Sequence, residues 1–198
     1  MRYRLRIKSA ALALLVLAVA ADAFAGPATD QLKPEIERVI ATIEDPAMQA
    51  AARTADRREA IRAITDRIFD WTAMSKRALG RHWEARTVDE RSEFIPLFRD
   101  LLERAFLGKI EQYGSESVAY GEELSDGGDT IVRTRVTLRP SWAVDVDYRM
   151  AWQGTRWMIS DVLVEHSSLV RNFRSQFDSV IKRSSYEELV KKVRARLP

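Results

Sequence analysis

Apolar side chains recur at helical spacing through the first half of the chain. Residues 30–44 and 55–69 each place leucine, isoleucine, valine or phenylalanine along one face, which predicts two amphipathic helices. Asp70 is placed to cap a third, short helix, and Gly80 is placed to end it. The chain is therefore expected to begin its folded part with helices.

The strongest amphipathic pattern follows at residues 87–106. Thr87 and Glu90 have the spacing of a capping box, in which each side chain bonds the other residue's backbone N–H. Pro96 lies inside the pattern and is expected to bend the helix or shift its start. The pattern predicts a long helix whose apolar stripe consists of Phe94, Leu97, Phe98, Leu101, Leu102, Ala105 and Phe106.

From about residue 115 the apolar period changes to two. Residues 131–138 are rich in β-branched side chains. A strand over 142–152 alternates polar or small residues with Trp142, Val144, Val146, Tyr148, Met150 and Trp152. Residues 153–155 predict a hairpin turn, and residues 156–165 the return strand. One face of this sheet is apolar and the other mostly polar, which is typical of an antiparallel sheet covered on one side.

Two amphipathic helices close the chain. The first carries its apolar residues between Leu169 and Ile181, and Ser184 with Glu187 can cap the second, which runs toward Leu197. Helices before and after an antiparallel meander indicate the α+β class. We expect about four antiparallel strands flanked by N-terminal and C-terminal helices.

Residues 1–25 have the order of a Sec-type signal peptide. A basic opening segment precedes an uninterrupted apolar run at residues 10–21, and Ala23 and Ala25 supply the small side chains expected before a cut. A membrane-spanning helix would need about 20 apolar residues, which is more than this run offers. We therefore expect cleavage after about Ala25 and a single exported domain over residues 26–198.

Charge and cysteine content exclude several functions. The chain has 198 residues, of which 32 are basic and 29 acidic. The predicted signal peptide holds four basic residues and one acidic residue, so the remainder carries 28 of each. Nucleic-acid binding therefore has no support from net charge. The chain contains no cysteine, which excludes disulfides, thiolate catalysis and cysteine-ligated metal sites.

No pattern of an active site is present in the sequence. Phosphate-binding glycine loops, HExxH and GxSxG are all missing. Asp145, Asp147 and Asp161 could form a carboxylate cluster, but the first two alternate with the apolar positions of their strand and are expected in solvent. His82 and His166 are interpreted as surface or boundary residues. We expect no catalytic residue, no metal, no cofactor and no enzymatic activity.

Two groups of residues resemble the MlaC family, also called the toluene-tolerance auxiliary family, in order and spacing. The first group is Phe69, Asp70, Met74, Ala78, Leu79, Gly80, Trp83, Thr87, Glu90, Arg91, Phe94, Phe98, Arg99, Leu101 and Leu102. The second is residues 129–132, Val136, Thr137, Trp157, Asp161, Val162 and residues 168–177. The resemblance covers about residues 30–197. One departure is Glu165-His166-Ser167-Ser168, where the family commonly reads Glu-Gly-Val-Ser.

The resemblance implies a soluble periplasmic carrier that encloses the acyl chains of a phospholipid. Such a carrier would pass lipid between an outer-membrane lipoprotein complex and an inner-membrane ABC transporter with an MCE-domain subunit, and so maintain outer-membrane lipid asymmetry. Two acyl chains gain on the order of 20 kcal/mol by staying out of water. A protein of this kind therefore needs an apolar cavity rather than catalytic groups.

We expect this cavity between the apolar sheet face and the long helix at 87–106. The predicted lining residues are Phe94, Phe98, Leu101, Leu102 and Phe106 from the helix, Val144, Val146, Tyr148 and Met150 from the strand, and Phe173 and Phe177 from the following helix. Apolar stripes alone more often indicate an ordinary packed core. Three further functions remain open: a carrier of another amphiphile such as a hopanoid, an exported enzyme on a similar scaffold, and a non-lipid structural or interaction protein.

Overall fold

The structure is a computed structural model that describes residues 26–113, 115–138 and 142–196. Side chains are described throughout these ranges except at residues 106–113, 115 and 116. The predicted signal peptide at residues 1–25 lies outside the described residues, as does Leu197.

Seven α-helices are present among the described residues. They are α1 (Pro27–Glu44), α2 (Pro46–Gln49), α3 (Thr54–Ile68), α4 (Trp71–Leu79), α5 (Val88–Tyr113), α6 (Leu169–Arg183) and α7 (Tyr186–Ala195), with single 3₁₀ turns at Ala51–Arg53 and Gly80–His82. The helices predicted from periodicity correspond to α1 and α3 to α7. The sequence pattern missed α2, which has only four residues.

Local side-chain signals set most of the helix ends. Asp70 caps α4, because its Oδ1 accepts a hydrogen bond from the backbone N–H of Ala73 at 2.8 Å. The predicted capping box at α5 is also confirmed: the Glu90 N–H donates to Thr87 Oγ1, and the Thr87 N–H donates to Glu90 Oε2. α5 begins directly after this cap and continues through Pro96, so the proline does not shift its start.

The expected cap of α7 was wrong by one residue. Ser185, rather than Ser184, is the N-cap, and its hydroxyl accepts a hydrogen bond from the Glu188 N–H at 3.2 Å. The preceding Ser184 instead ends α6, where its N–H donates to the Val180 carbonyl. Either of the two adjacent serines carries a hydroxyl that can cap a helix, so the sequence alone does not show which one is the N-cap.

The strands form one antiparallel sheet in sequence order. They are β1 (Ser115–Asp126), β2 (Asp129–Leu138), β3 (Trp142–Trp152), β4 (Trp157–Val164) and β5 (Ser167–Ser168). The α+β class is confirmed, and the sheet has five strands rather than about four. The additional strand, β5, is only two residues long and pairs with the end of β4.

The two faces of the sheet differ in chemistry. On the apolar face, rows of facing residues run across β2, β3 and β4; the row of Val132, Tyr148 and Val162 is an example. α1 packs on this face and contributes Ala28 and Leu32. The buried members of this sheet cluster are Ala28, Leu32, Ile68, Val132, Tyr148, Met150, Ile159 and Val162. Trp142 and Trp152, at the two ends of β3, are exposed.

A second apolar cluster holds α4, α5, α6 and α7 together. The buried members of this helical cluster are Met74, Ala78, Leu79, Trp83, Phe94, Phe98, Leu101, Leu102, Val170, Phe177, Tyr186, Leu189, Val190 and Val193. Phe69 packs against both clusters, and its backbone bridges to Ile159 of β4. The consecutive residues Leu169 and Val170 likewise contact the sheet cluster and the helical cluster, respectively.

We call the other face of the sheet the charged face. One expectation about this face was wrong. Asp147 was expected in solvent, but only 5% of its surface is exposed, and Asp161 is also buried, at 7%. A bulge at Ser160 pairs Asp161 with Arg149, and α4 and α6 pack beside β4 at this point. Burial therefore comes from elements distant in sequence, which alternation within a strand cannot reveal.

Candidate functional site

The apolar face of the sheet continues beyond the sheet cluster. The row formed by Val118, Val136 and Val144 follows the paired residues Val146 and Val164 along the strands. Val144 is buried, whereas the other four valines are half-buried. Among the described residues, the row of Val118, Val136 and Val144 belongs to neither cluster. We call these five valines the valine patch.

α5 connects the helical cluster to this end of the sheet. Leu101 and Leu102 are its last described members of the helical cluster, and the helix continues for about three more turns to Tyr113. β1 begins at Ser115 and pairs there with Leu138, at the same end of the sheet as Val118, Val136 and Val144. The C-terminal half of α5 and the valine patch are therefore brought to the same end of the molecule.

The structure divides the predicted lining residues between the two clusters. Phe94, Phe98, Leu101, Leu102, Phe173 and Phe177 all lie in or against the helical cluster. Val146, Tyr148 and Met150 lie in or against the sheet cluster, and Val144 belongs to the valine patch. The side chain of Phe106 lies outside the described residues. The predicted set therefore comprises two groups, and its role in ligand binding stays a prediction.

The aromatic members of the helical cluster pack tightly against one another. Phe94 and Phe98 are fully buried, with ring centroids 5.9 Å apart. Phe177 meets both rings edge to face at 5.8 Å, and Phe173 meets Phe98 in the same way at 5.5 Å. Such pairs add to the free energy of burial beyond their apolar area. This arrangement is that of a packed core.

The apolar face carries a buried phenol at its centre. Tyr148 lies between Val132 and Val162, and burial raises the pKa of its hydroxyl well above the ordinary value. The group is therefore neutral at physiological pH and adds no charge to the face. Further out on the sheet, burial raises the pKa of Tyr120 to about 12, and the ammonium of Lys33 lies 5.7 Å from the Tyr120 ring centroid.

Sequence reasoning missed three members of the valine patch. Val118, Val136 and Val164 were not predicted to line a site, although they share rows with the predicted residues Val144 and Val146. The alternation within residues 131–138 was visible, but the antiparallel register that aligns these rows depends on pairing between strands. The register, rather than any single strand, defines the patch.

The fold has counterparts among known proteins. The family described as MlaC protein matches residues 33–195. The chain belongs to the MlaC family. This match covers α2 to α7 and the entire sheet together with most of α1. No curated protein matches the chain.

Solved structures also resemble this MlaC-family chain. One is the phospholipid-binding protein from Ralstonia solanacearum in complex with a phospholipid. It superposes with a TM-score of 0.76 at 24% sequence identity, covering 86% of this chain and 97% of the Ralstonia chain. The likeness shows that the two proteins share a fold.

Two further properties of this MlaC-family protein concern membranes and metals. No helix in the described ranges combines the length and hydrophobicity that crossing a bilayer requires. Within those same ranges, no group of three or more histidine or acidic side chains is placed to hold a metal ion.

Proposed function

We propose that this protein is a periplasmic carrier that binds the acyl chains of a phospholipid against the apolar face of its sheet. Membership of the MlaC family supports this proposal, and so does the fold shared with a Ralstonia protein whose structure contains a phospholipid. The observation that carries it in this chain is the valine patch, an apolar surface that extends beyond the sheet cluster and lies at the end of the sheet that α5 reaches.

In this proposal the apolar face of the sheet binds the ligand, and the helical cluster supports α5. The valine patch and Tyr148 form the sheet side of the acyl site, and α5 from Leu101 onward forms the helix side. Phe94 and Phe98 support α5 from within the helical cluster, because rings without exposed surface would have to lose their packing to admit a ligand. The acyl chains therefore lie between the valine patch and the C-terminal half of α5.

The energetics suit a carrier. Each methylene removed from water contributes about 0.8 kcal/mol, so acyl chains bound on an apolar surface no longer oppose transfer across an aqueous space. The headgroup stays at the wet edge of the site and needs no dedicated charge there. We propose that the protein passes lipid between an outer-membrane lipoprotein complex and an inner-membrane ABC transporter with an MCE-domain subunit, and acts as a binding protein rather than an enzyme.

Organic extraction of the purified protein, followed by mass spectrometry, tests the proposed ligand. We expect phospholipid in stoichiometric amount. A triterpenoid in its place would favour a carrier of another amphiphile, such as a hopanoid. Protein that contains no lipid, and takes none up from phospholipid vesicles, would contradict the proposal and favour a structural or interaction protein.

A pair of arginine substitutions on opposite faces of the sheet tests the location of the site. Val146 is half-buried on the apolar face, and Ile131 is half-buried on the charged face. We expect Val146→Arg to remove most of the bound phospholipid, because a guanidinium there would lose its hydration against acyl chains. Ile131→Arg is the matched control and should retain lipid. Circular dichroism should show that both variants are folded, and equal lipid content in the two would contradict the location.

A further inference from the structure

A cleft of about 380 Å³ lies on the charged face of the sheet. Its walls come from α4, from β3 to β5 and from the start of α6, with Arg77, Arg149, His166, Arg171 and Arg174 among the lining residues. This volume is at the lower end of the range for small-molecule sites. Four guanidinium groups around one cleft favour an anion with several oxygen acceptors.

Two of these arginines are held in place by neighbouring groups. Arg77 donates to Ser160 Oγ at 2.9 Å and to Asp129 Oδ2 at 3.2 Å. Arg149 is paired with Asp126, and its Nη1 lies 3.6 Å from the same Asp129 oxygen. These contacts fix both guanidinium groups at the cleft before any ligand binds, which lowers the entropic cost of binding.

The other two arginines retain unused hydrogen-bonding capacity. Arg171 and Arg174 are exposed on α6, and neither has an ion-pair partner among the described residues. Gly80 allows Arg174 to lie close to the end of α4, since a Cβ at position 80 would be 2.6 Å from Arg174 Nε. Arg174 is thus seated against the backbone, with its guanidinium at the cleft.

The carboxylate that lines the cleft is already satisfied. Asp161 accepts hydrogen bonds from the backbone N–H groups of Val162 and Val170 and from the Ser168 hydroxyl. Its charge therefore stabilises the N-terminus of α6, where a negative group is favoured. The arginines remain the groups available to a ligand.

A strained turn places a further nitrogen-bearing side chain at the cleft. Glu165 and His166 join β4 to β5, and both have positive φ, 48° and 61°. A two-residue hairpin with positive φ at both positions is a type I′ turn, which favours Asn-Gly. Non-glycine residues in this conformation cost of order 1 kcal/mol and cluster at functional sites. Here the strained position carries an imidazole that lines the cleft, with Nε2 3.9 Å from Asp145 Oδ2 and Nδ1 3.7 Å from Asp147 Oδ2.

From the arginine cluster, the cleft and this strained turn, we propose that the charged face holds a binding site for a phosphate group. Arg171 and Arg174 bind the phosphate oxygens, and Arg77 and Arg149, which Asp126 and Asp129 hold in place, form the adjoining wall of the cleft. The site lies on the face opposite to the proposed acyl site and does not require that site. The phosphate can belong to a soluble phosphate ester or to a lipid headgroup, and the chemistry of recognition is the same.

Titration of the exported chain with inorganic phosphate, followed by calorimetry, tests the site. We expect saturable binding that weakens at least roughly tenfold in the double variant Arg171→Gln/Arg174→Gln, because two charge-assisted hydrogen bonds are lost. Arg183→Gln is the matched control: this arginine is also exposed on α6, does not line the cleft, and should leave the affinity unchanged. No saturable binding, or equal loss in both variants, would overturn the proposal.

His166→Gly separates the turn from the arginines. Glycine adopts positive φ without strain, so the variant should fold with equal or greater thermal stability. Because the imidazole nitrogens lie beside Asp145 and Asp147, removal of the ring should leave the affinity for phosphate unchanged. A loss of affinity as large as that of the double variant would overturn the assignment of the phosphate to Arg171 and Arg174.

The lipid content of the double variant distinguishes the two sources of phosphate. Weaker phosphate binding with unchanged phospholipid content identifies a soluble phosphate ester, and glycerol 3-phosphate should then compete with inorganic phosphate. A parallel loss of phospholipid identifies a headgroup and would contradict an acyl site on the opposite face of the sheet. The phosphate titration does not depend on bound lipid, so its result stands even if extraction of the wild-type protein yields none.

Discussion

The helical cluster and the sheet cluster bury their apolar surface in different ways. In the helical cluster, four helices close around interlocked aromatic rings, and Phe94 and Phe98 have no exposed surface. The sheet cluster is covered by α1 over part of its area, and the valine patch continues beyond it with four half-buried side chains. The first is a packed core, and the second ends in a half-buried apolar surface, against which we propose that acyl chains bind.

This difference shows why apolar content alone does not distinguish the two clusters. Both clusters are built from similar side chains at regular spacing, and both satisfy the pattern of an amphipathic element. They differ in how completely other elements cover them, which is a property of the tertiary structure. If the difference is functional, substitutions in the helical cluster should affect stability most, and substitutions on the apolar face should affect binding.

The largest effect is expected for Phe98→Ala. Removing a fully buried ring that contacts Phe94, Phe173 and Phe177 should lower the free energy of unfolding by about 3–5 kcal/mol. Val146→Ala, at the half-buried edge of the sheet cluster, should cost roughly 1 kcal/mol. Urea denaturation of both variants measures the difference. Similar losses in the free energy of unfolding at Phe98 and Val146 would contradict the distinction between the two clusters.

A smaller effect is expected where the two clusters meet. Asp161 of β4 holds the start of α6, whose residues Leu169 and Val170 contact one cluster each. Oδ1 of Asp161 accepts both backbone N–H groups, and Oδ2 accepts from the Ser168 hydroxyl. Asp161→Asn removes the charge from these hydrogen bonds and replaces one oxygen with an amide donor, and should cost about 2–3 kcal/mol. The control is Asp145→Asn, because this carboxylate is partly exposed and pairs with Arg135 at the surface. Its cost should be below about 1 kcal/mol, and an equal cost would argue against a structural role for Asp161.

The smallest effect on stability is expected at Tyr186, where α7 packs in the helical cluster. The Tyr186 hydroxyl donates to the Glu90 carbonyl at 3.1 Å, and burial raises the pKa of Tyr186 to about 12. Because the folded state holds this proton more tightly than the unfolded state, the contribution is complete below pH 10 and is lost as pH rises toward 12. Tyr186→Phe should cost roughly 1 kcal/mol at neutral pH. The stability difference between the two chains should narrow at alkaline pH, and a difference independent of pH would contradict this assignment.

The starts of α4 and α5 were predictable from the sequence because their signals are local. The cap at Asp70 and the reciprocal bonds of Thr87 and Glu90 involve residues three positions apart, and the structure has them as expected. The turn before β4 is equally local: the Gln153 N–H donates to the Arg156 carbonyl, and Gly154 has a φ of 78°. These features follow from backbone geometry within a few residues.

Features that depend on distant contacts were not predictable. The burial of Asp161 depends on the bulge at Ser160 and on its hydrogen bond to the start of α6, and Oδ2 of the buried Asp147 lies 3.7 Å from His166 Nδ1. The sequence departs from the common family pattern at residues 165–168, where His166 stands at the position of a glycine. The structure nevertheless has His166 in the left-handed conformation, with a φ of 61°. The division of the predicted lining residues between two clusters likewise depends on how α5 lies relative to the sheet.

The central claim is that acyl chains lie against the apolar face of the sheet, beside the C-terminal half of α5. Photo-crosslinking with a phospholipid that carries a diazirine in its acyl chain, followed by peptide mapping, tests this most directly. We expect adducts on β3 within residues 144–148 and on α5 beyond Leu101. Adducts confined to the charged face or to α7, or none in protein that contains phospholipid, would contradict it.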